Sequence, residues 1–410
     1  MQIILLLLML FTIGWAQPDA GESSPSQGDF GGPTGGQFVI GDQEGFGLGT
    51  AVNDPTALYG PSRVPVVLFG TDRESLVDIQ AFYGHKFSEN QRILLQGNFD
   101  PNFLGLDLSY SVKPQNWEGT LNFNTWVSSG SFAPFDIDYY KVKLPSGEEP
   151  MVQSLGAGVE YVQPFTEDLK VAFGVNYYQY GFSDDLFAGN RYNVDRNFSP
   201  VTVNGRNATE RFTSLRVNGI YTTLDDPNLP TEGTKIRFGM EQAIGLGDAG
   251  TSFNRLSANI AHLFRAPGFN DGDHSLLLNL QAGTILGSPP PVRAFHLGGT
   301  YSVRGYNPGE LASGRSFVQG TVEYRHFLTD FEMFDQKIAT RLSLFGDYAS
   351  TLGTTSQLKA YPSQVLGKPE DGYGYGAGLQ FGTDFGLMKI ETAWNDQGRN
   401  SFYFTVGERF

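Results

Sequence analysis

LGLDLSYSV, residues 104–112, alternates without a break. Leu104, Leu106, Leu108, Tyr110 and Val112 fall on one side of an extended chain, and Gly105, Asp107, Ser109 and Ser111 fall on the other. The same period of two returns in LKVAFGVNYYQY (169–180), TKIRFGME (234–241) and RLSLFGDY (341–348), and no long stretch carries a convincing helical period. Working outward from these segments, the pattern predicts sixteen strands: 64–70, 76–85, 91–98, 103–112, 118–128, 152–163, 168–180, 211–222, 233–243, 253–264, 274–284, 315–327, 337–349, 372–381, 386–394 and 400–409. The four quoted segments each have one oily and one wet face.

The connections carry a second signal. Four long gaps, 129–151, 181–210, 285–314 and 350–371, follow strands five, seven, eleven and thirteen, whereas every gap after an even strand is ten residues or fewer. In an up-and-down sheet this parity collects the long loops at one end. A soluble sandwich has no reason to do so, but an outer-membrane barrel has short turns on one side and long loops on the other. In hydrocarbon every backbone N–H and C=O must be paired internally, so a sheet spans only if it closes. The predicted fold class is therefore all-β, a transmembrane antiparallel β-barrel of about 16 strands. Tyr83, Tyr110, Tyr161, Tyr180 and Phe264, near strand ends, suit the interfacial girdles.

Composition agrees. The 410 residues include 52 Gly, 33 Phe and 19 Tyr, and only 17% are charged. The net charge of −15 argues against a basic nucleic-acid-binding surface, and the absence of Cys excludes disulfide scaffolds, thiolate metal sites and cysteine nucleophiles. The five histidines show no metal-binding spacing and no Gly-x-Ser-x-Gly elbow occurs, so neither an enzyme nor a cofactor is expected. Asn270-Asp271-Gly272-Asp273 reads as a turn.

Residues 3–16 (IILLLLMLFTIGWA) form the only long apolar run. It is too short to span a membrane and ends in small residues at Gly14 and Ala16, which makes 1–16 an expected signal peptide for export. Residues 17–62, rich in Gly, Pro, Ser and Asp, read as a disordered periplasmic tail, and 63–410 as the barrel. In GYGYGAG (372–378), Gly372, Gly374, Gly376 and Gly378 share one face; a row without side chains is expected either to face the lumen and admit another chain segment or simply to relieve curvature in the barrel wall.

Ser302-Val303-Arg304-Gly305-Tyr306, in the gap before strand twelve, is the most specific local feature. Here the chain resembles the BamA/TamA superfamily of outer-membrane barrels, the bacterial surface antigen family. TTLDDPNLPTEGTKIRF (222–238) is similar to the family's Asp…Pro-Thr-x-Gly turn leading into a strand. GTVEYRHFL (320–328) is similar to its Glu-bearing strand twelve, and LSLFGDYA (342–349) to its Phe-x-Asp strand thirteen. FYFTVGERF (402–410), with Phe402, Phe404, Gly407 and Phe410, resembles its C-terminal assembly signal.

The resemblance implies that the long loop folds into the lumen, where Arg304, flanked by Val303, Gly305 and Tyr306, meets Glu323 and Asp347 as a loop-to-wall lock. Strand parity permits this meeting. A guanidinium grips carboxylates through a planar fork that Lys cannot reproduce. Family members that insert or translocate proteins usually carry periplasmic POTRA modules, and 17–62 is too short and too Gly/Pro-rich to form one, so a form lacking POTRA domains is expected.

Two functions stay open. The first is a minimal factor for outer-membrane protein insertion or translocation, working through a lateral seam between the first and last strands. Its partners would be outer-membrane lipids, the barrel assembly machinery and client outer-membrane proteins, in the bacterial outer membrane. The alternative is a passive pore or structural barrel for small polar solutes.

Overall fold

The computed structural model describes most of residues 66–406. Outside the description lie 1–65, 71–77, 89, 101–102, 132–135, 138–139, 142–146, 148–150, 184–190, 193–201, 204–205, 208–209, 227–228, 248–251, 271, 288, 308, 334–335, 355–367, 384–385 and 407–410. The side chains of 66–84 and 404–406 are outside it as well. The expected signal peptide, the tail, the Tyr83 and Phe404 side chains, Gly407 and Phe410 therefore lie outside the described residues.

One sheet dominates. It holds seventeen strands, one of them the two-residue segment Arg191–Tyr192. The other sixteen are β1 Val66–Gly70, β2 Asp78–Ser88, β3 Gln91–Asp100, β4 Phe103–Val112, β5 Thr120–Ser131, β6 Met151–Pro164, β7 Leu169–Ser183, β8 Glu210–Thr222, β9 Gly233–Gly245, β10 Phe253–Arg265, β11 Ser275–Gly287, β12 Ser316–Met333, β13 Gln336–Ser350, β14 Asp371–Thr383, β15 Gly386–Asn395 and β16 Asn400–Val406. Each pairs antiparallel with its neighbours in chain order, from β1 with β2 to β15 with β16. The long connections follow β5, β7, β11 and β13, which places them at one end. Strand β12 runs beyond its expected end because a bulge between Phe327 and Thr329 lets its ladder with β13 continue to Met333↔Gln336.

The burial pattern is the reverse of a soluble protein's. In β4, Leu106 and Leu108 are exposed while Asp107, Ser109 and Ser111 are buried. In β13, Leu344 and Tyr348 are exposed while Arg341, Ser343, Phe345 and Asp347 are buried. Apolar side chains point outward, where lipid replaces water, and polar ones point inward. A sheet with this pattern is a membrane barrel. Among the described residues no helix is long and apolar enough to cross a membrane, which says nothing of strands.

Two expectations need correction. Tyr180 shares the inward face of β7 with Asn176 and Tyr178. Only 1% exposed, it packs with Tyr178 and Phe212 rather than in an outer girdle. Nor is the lumen uniformly wet. At the loop end, inward Trp126, Tyr178, Phe212 and Phe253 form one apolar cluster with Phe295, Leu297, Val303 and Tyr306 of the connection after β11. A loop that enters the barrel needs apolar surface to bury against, and these aromatics supply it.

That connection turns at a short 3-10 helix, Pro291–Arg293, and then forms a hairpin, Phe295–Leu297 with Ala312–Gly314. Its tip is tied by backbone bonds from Gly299 N to Tyr306 O (3.0 Å) and from Leu311 N to Leu297 O (3.0 Å). On one wall Arg293 donates to Glu241 of β9 and lies over the Tyr178 ring of β7. The far end of the tip engages β12 to β16. The loop thus bridges the lumen.

At the turn end, the β8–β9 connection is organised by Asp225. Its Oδ1 accepts from the backbone N–H groups of Thr231 (2.9 Å) and Glu232 (3.1 Å), and its Oδ2 accepts from the Thr231 hydroxyl. Gly233 has φ +115°, and a Cβ there would meet Thr223 O at 2.3 Å. These contacts explain the Asp, the Thr and the Gly of the turn in physical terms. Arg341 of β13 reaches the same turn, donating to Pro230 O at 3.2 Å.

Candidate functional site: a loop arginine among three carboxylates

Arg304 sits at the loop tip with its side chain 1% exposed. Its Nε and Nη2 donate to Asp347 Oδ2 (2.7 Å) and Oδ1 (3.0 Å), a two-pronged fork, and its backbone N–H also donates to Oδ2 (3.2 Å). Nη1 is shared between Glu323 Oε2 (3.2 Å) and Glu391 Oε1 (2.7 Å). The guanidinium lies over the Phe345 ring, 3.2 Å from its centroid. Desolvation works against the charge, but the carboxylates of Asp347, Glu391 and Glu323 outweigh it and hold the guanidinium protonated more firmly than in water.

Two of the three carboxylates are themselves supported. Asp347 Oδ1 accepts from Thr321 Oγ1 (2.8 Å), and Glu323 Oε1 accepts from Arg325 Nε (2.9 Å) and Gln380 Nε2 (2.8 Å). Register explains the convergence. Thr321 pairs with Asp347 and Asp347 with Gly374, so β12, β13 and β14 present this band at one level.

Two glycines of the row, Gly372 and Gly374, make room for the loop, whereas Gly376 and Gly378 lie against Thr392 and Glu391 of the adjoining strand. A Cβ on Gly374 would lie 1.8 Å from Arg304 O, and one on Gly372 would lie 2.7 Å from the Tyr306 hydroxyl. Gly305, at φ +96°, passes so close to β15 that a Cβ would meet Asn395 N at 2.7 Å. Val303 and Tyr306 are fully buried on either side.

The structure therefore brings together Arg304, Glu323 and Asp347, with Val303, Gly305 and Tyr306 beside them. Phe402 is elsewhere: it points outward from β16 and is 57% exposed. Phe404 aligns with Ile390 through its backbone. Sequence reasoning missed Glu391 and Tyr403, although both lie in phase with buried neighbours, Lys389 and Ala393 in β15 and Ser401 in β16. It also missed a stacked imidazole pair, His274 and His326, 4.4 Å apart at the turn end. Among the described residues no group of side chains is arranged to hold a metal ion.

Fold and site together define an outer-membrane β-barrel whose lumen is occupied by its own arginine-bearing loop. The profile of the Omp85 superfamily domain matches residues 79–410, and the chain belongs to that superfamily. It is similar to Outer envelope protein 80, chloroplastic, of Arabidopsis thaliana, with 31% identity over 265 residues, which are 65% of this chain and 34% of that protein. It is also similar to Protein TOC75, chloroplastic, of Pisum sativum, with 28% identity over 217 residues, 52% of this chain and 25% of that one. The chain thus spans about a third or less of these relatives' length. Among solved structures, BamA from Haemophilus ducreyi lacking POTRA domains 1-3 superposes with a TM-score of 0.60 at 16% identity, covering 82% of this chain and 68% of that one. CdiB from Acinetobacter baumannii gives 0.52 at 14% identity, covering 83% and 58%. At these identities the two structures speak for the fold alone.

Proposed function

We propose that the chain is a non-enzymatic factor for insertion or translocation of outer-membrane proteins, working through the seam between β1 and β16. Its partners are outer-membrane lipids, client barrel proteins and the barrel assembly machinery. The membrane we assign is the bacterial outer membrane, reached through the apolar N-terminal segment as export signal. The observation that carries this reading is the obstructed lumen. With the loop locked across it by Arg293 and Arg304, the route left for a client is lateral.

The seam suits such a route. β1 (Val66–Gly70) and β16 (Asn400–Val406) are the first and last strands of the sheet, pairing with β2 and β15 respectively. An edge with unpaired N–H and C=O groups can template an incoming strand. A disulfide engineered between positions 68 and 404, or close neighbours, tests this. Client assembly should stop when the bridge is oxidised and resume on reduction; unchanged assembly with the bridge closed rejects the seam.

A passive pore is the second reading, favoured by the polar inward faces of β5 and β6, where Asn122, Asn124, Ser128 and Ser154 line the lumen. Solute conductance in a planar bilayer that persists with the seam bridged would support it.

A further inference from the structure

The tip of the inserted loop does more than meet the wall below it; it grips the last hairpin of the barrel. The Gly305 backbone N–H donates to the Tyr403 hydroxyl of β16 at 2.8 Å, and that hydroxyl donates in turn to Tyr306 O at 3.2 Å. Asn395 Nδ2, at the end of β15, donates to Gly305 O at 3.0 Å. The Tyr306 hydroxyl bonds Asp396, and Arg399 pairs with Glu310, both across the β15–β16 connection. With Arg304 on Glu391, every residue from 304 to 306 holds β15, β16 or the connection between them.

We propose that Tyr403 is a latch that makes release of the last strand conditional on withdrawal of the loop. The proposal rests on the seam reading above and adds to it the coupling between plug and seam. Tyr403 is suited to the task because its side chain points inward, so the bond to the loop does not compete with backbone pairing at the outer edge of β16. Its hydroxyl, as acceptor from one loop peptide and donor to the next, closes only while both peptides are in place. If the loop leaves, Tyr403 loses both bonds at once. If β16 peels away, Gly305 N and Tyr306 O lose this partner in a buried site, which resists the movement.

The test is amide hydrogen exchange on the full chain in detergent micelles, comparing wild type with Tyr403→Phe, which removes the hydroxyl and keeps the ring. Exchange across 402–406 should become about tenfold faster, with the β9 and β10 amides unchanged. Arg304→Lys, which weakens the lock from the loop side, should accelerate the same amides. The double variant should show less than the product of the two effects, because both act by loosening the same loop tip from the last hairpin. Unchanged exchange in β16, acceleration spread evenly over all strands, or effects that simply multiply would each overturn the latch. These outcomes are separate from the disulfide result. Assembly stopped by the bridge alongside unaltered β16 exchange would retain the seam and reject the latch.

Discussion

Arg304 concentrates the energetics of the site in one side chain. Its removal leaves Asp347, Glu323 and Glu391 facing one another without their common partner, and all three are buried. Breaking such a pair costs about 3 to 5 kcal/mol. Arg304→Ala should therefore lower the unfolding temperature of the barrel clearly, read as heat-modified mobility on gels in detergent. Arg304→Lys should recover only part of the loss, since an ammonium cannot reproduce the fork onto Asp347. Wild-type heat resistance in Arg304→Ala would remove the energetic role of the lock. Arg304 was legible because its loop motif is distinctive and strand parity turns Glu323 and Asp347 inward. Glu391 and Tyr403 were not, since parity gives the face of a residue but not which strands a loop tip will reach.

At the scale of single elements, the glycine face of β14 and the β8–β9 turn make separate claims. Gly374 faces the carbonyl of Arg304 with no space for a side chain, whereas a Cβ on Gly346 of β13 meets nothing within 4 Å. Gly374→Val should cost about 1 to 3 kcal/mol through displacement of the loop. Gly346→Ala, in the neighbouring strand, should leave thermal unfolding unchanged, and equal effects of the two would argue against the close approach.

In the turn, burial raises the Asp225 carboxyl, but the Thr231 hydroxyl and the backbone N–H groups of Glu232, Thr231 and Asp226 outweigh it and hold the group below the usual carboxylate range. A carboxyl depressed on folding contributes stability above its unfolded value and loses it as pH falls through the folded one. The difference in unfolding temperature between wild type and Asp225→Asn should be open at pH 7 and close as pH falls below about 4. The turn's residues were visible in the sequence because their bonds are local. The aromatic Tyr180 was misplaced because closeness to a strand end says nothing about which face it occupies.

For the whole molecule, the decisive feature is which face is oily. Leu344 is 49% exposed on the outward face of β13. On a soluble protein an exposed leucine is replaced at little cost. In a barrel spanning hydrocarbon, Leu344→Arg should cost about 2 to 4 kcal/mol if it lies near the bilayer midplane, measured by reversible folding into lipid vesicles. A neutral result there would contradict the membrane orientation of the sheet.

Chain order alone determined the sixteen alternating segments, the end at which long connections gather and the inward phase of Glu323 and Asp347. A strand's period, its turns and its neighbour in an up-and-down sheet are all local in sequence, so they can be read along the chain. Only the tertiary structure decided that the loop crosses the lumen onto an aromatic floor, that Glu391 completes the carboxylate set and that Tyr403 ties the loop to the last strand. Those contacts join positions 87 and 98 residues apart for Glu391 and Tyr403. They depend on how the barrel curves around its contents, which no repeat or local motif records.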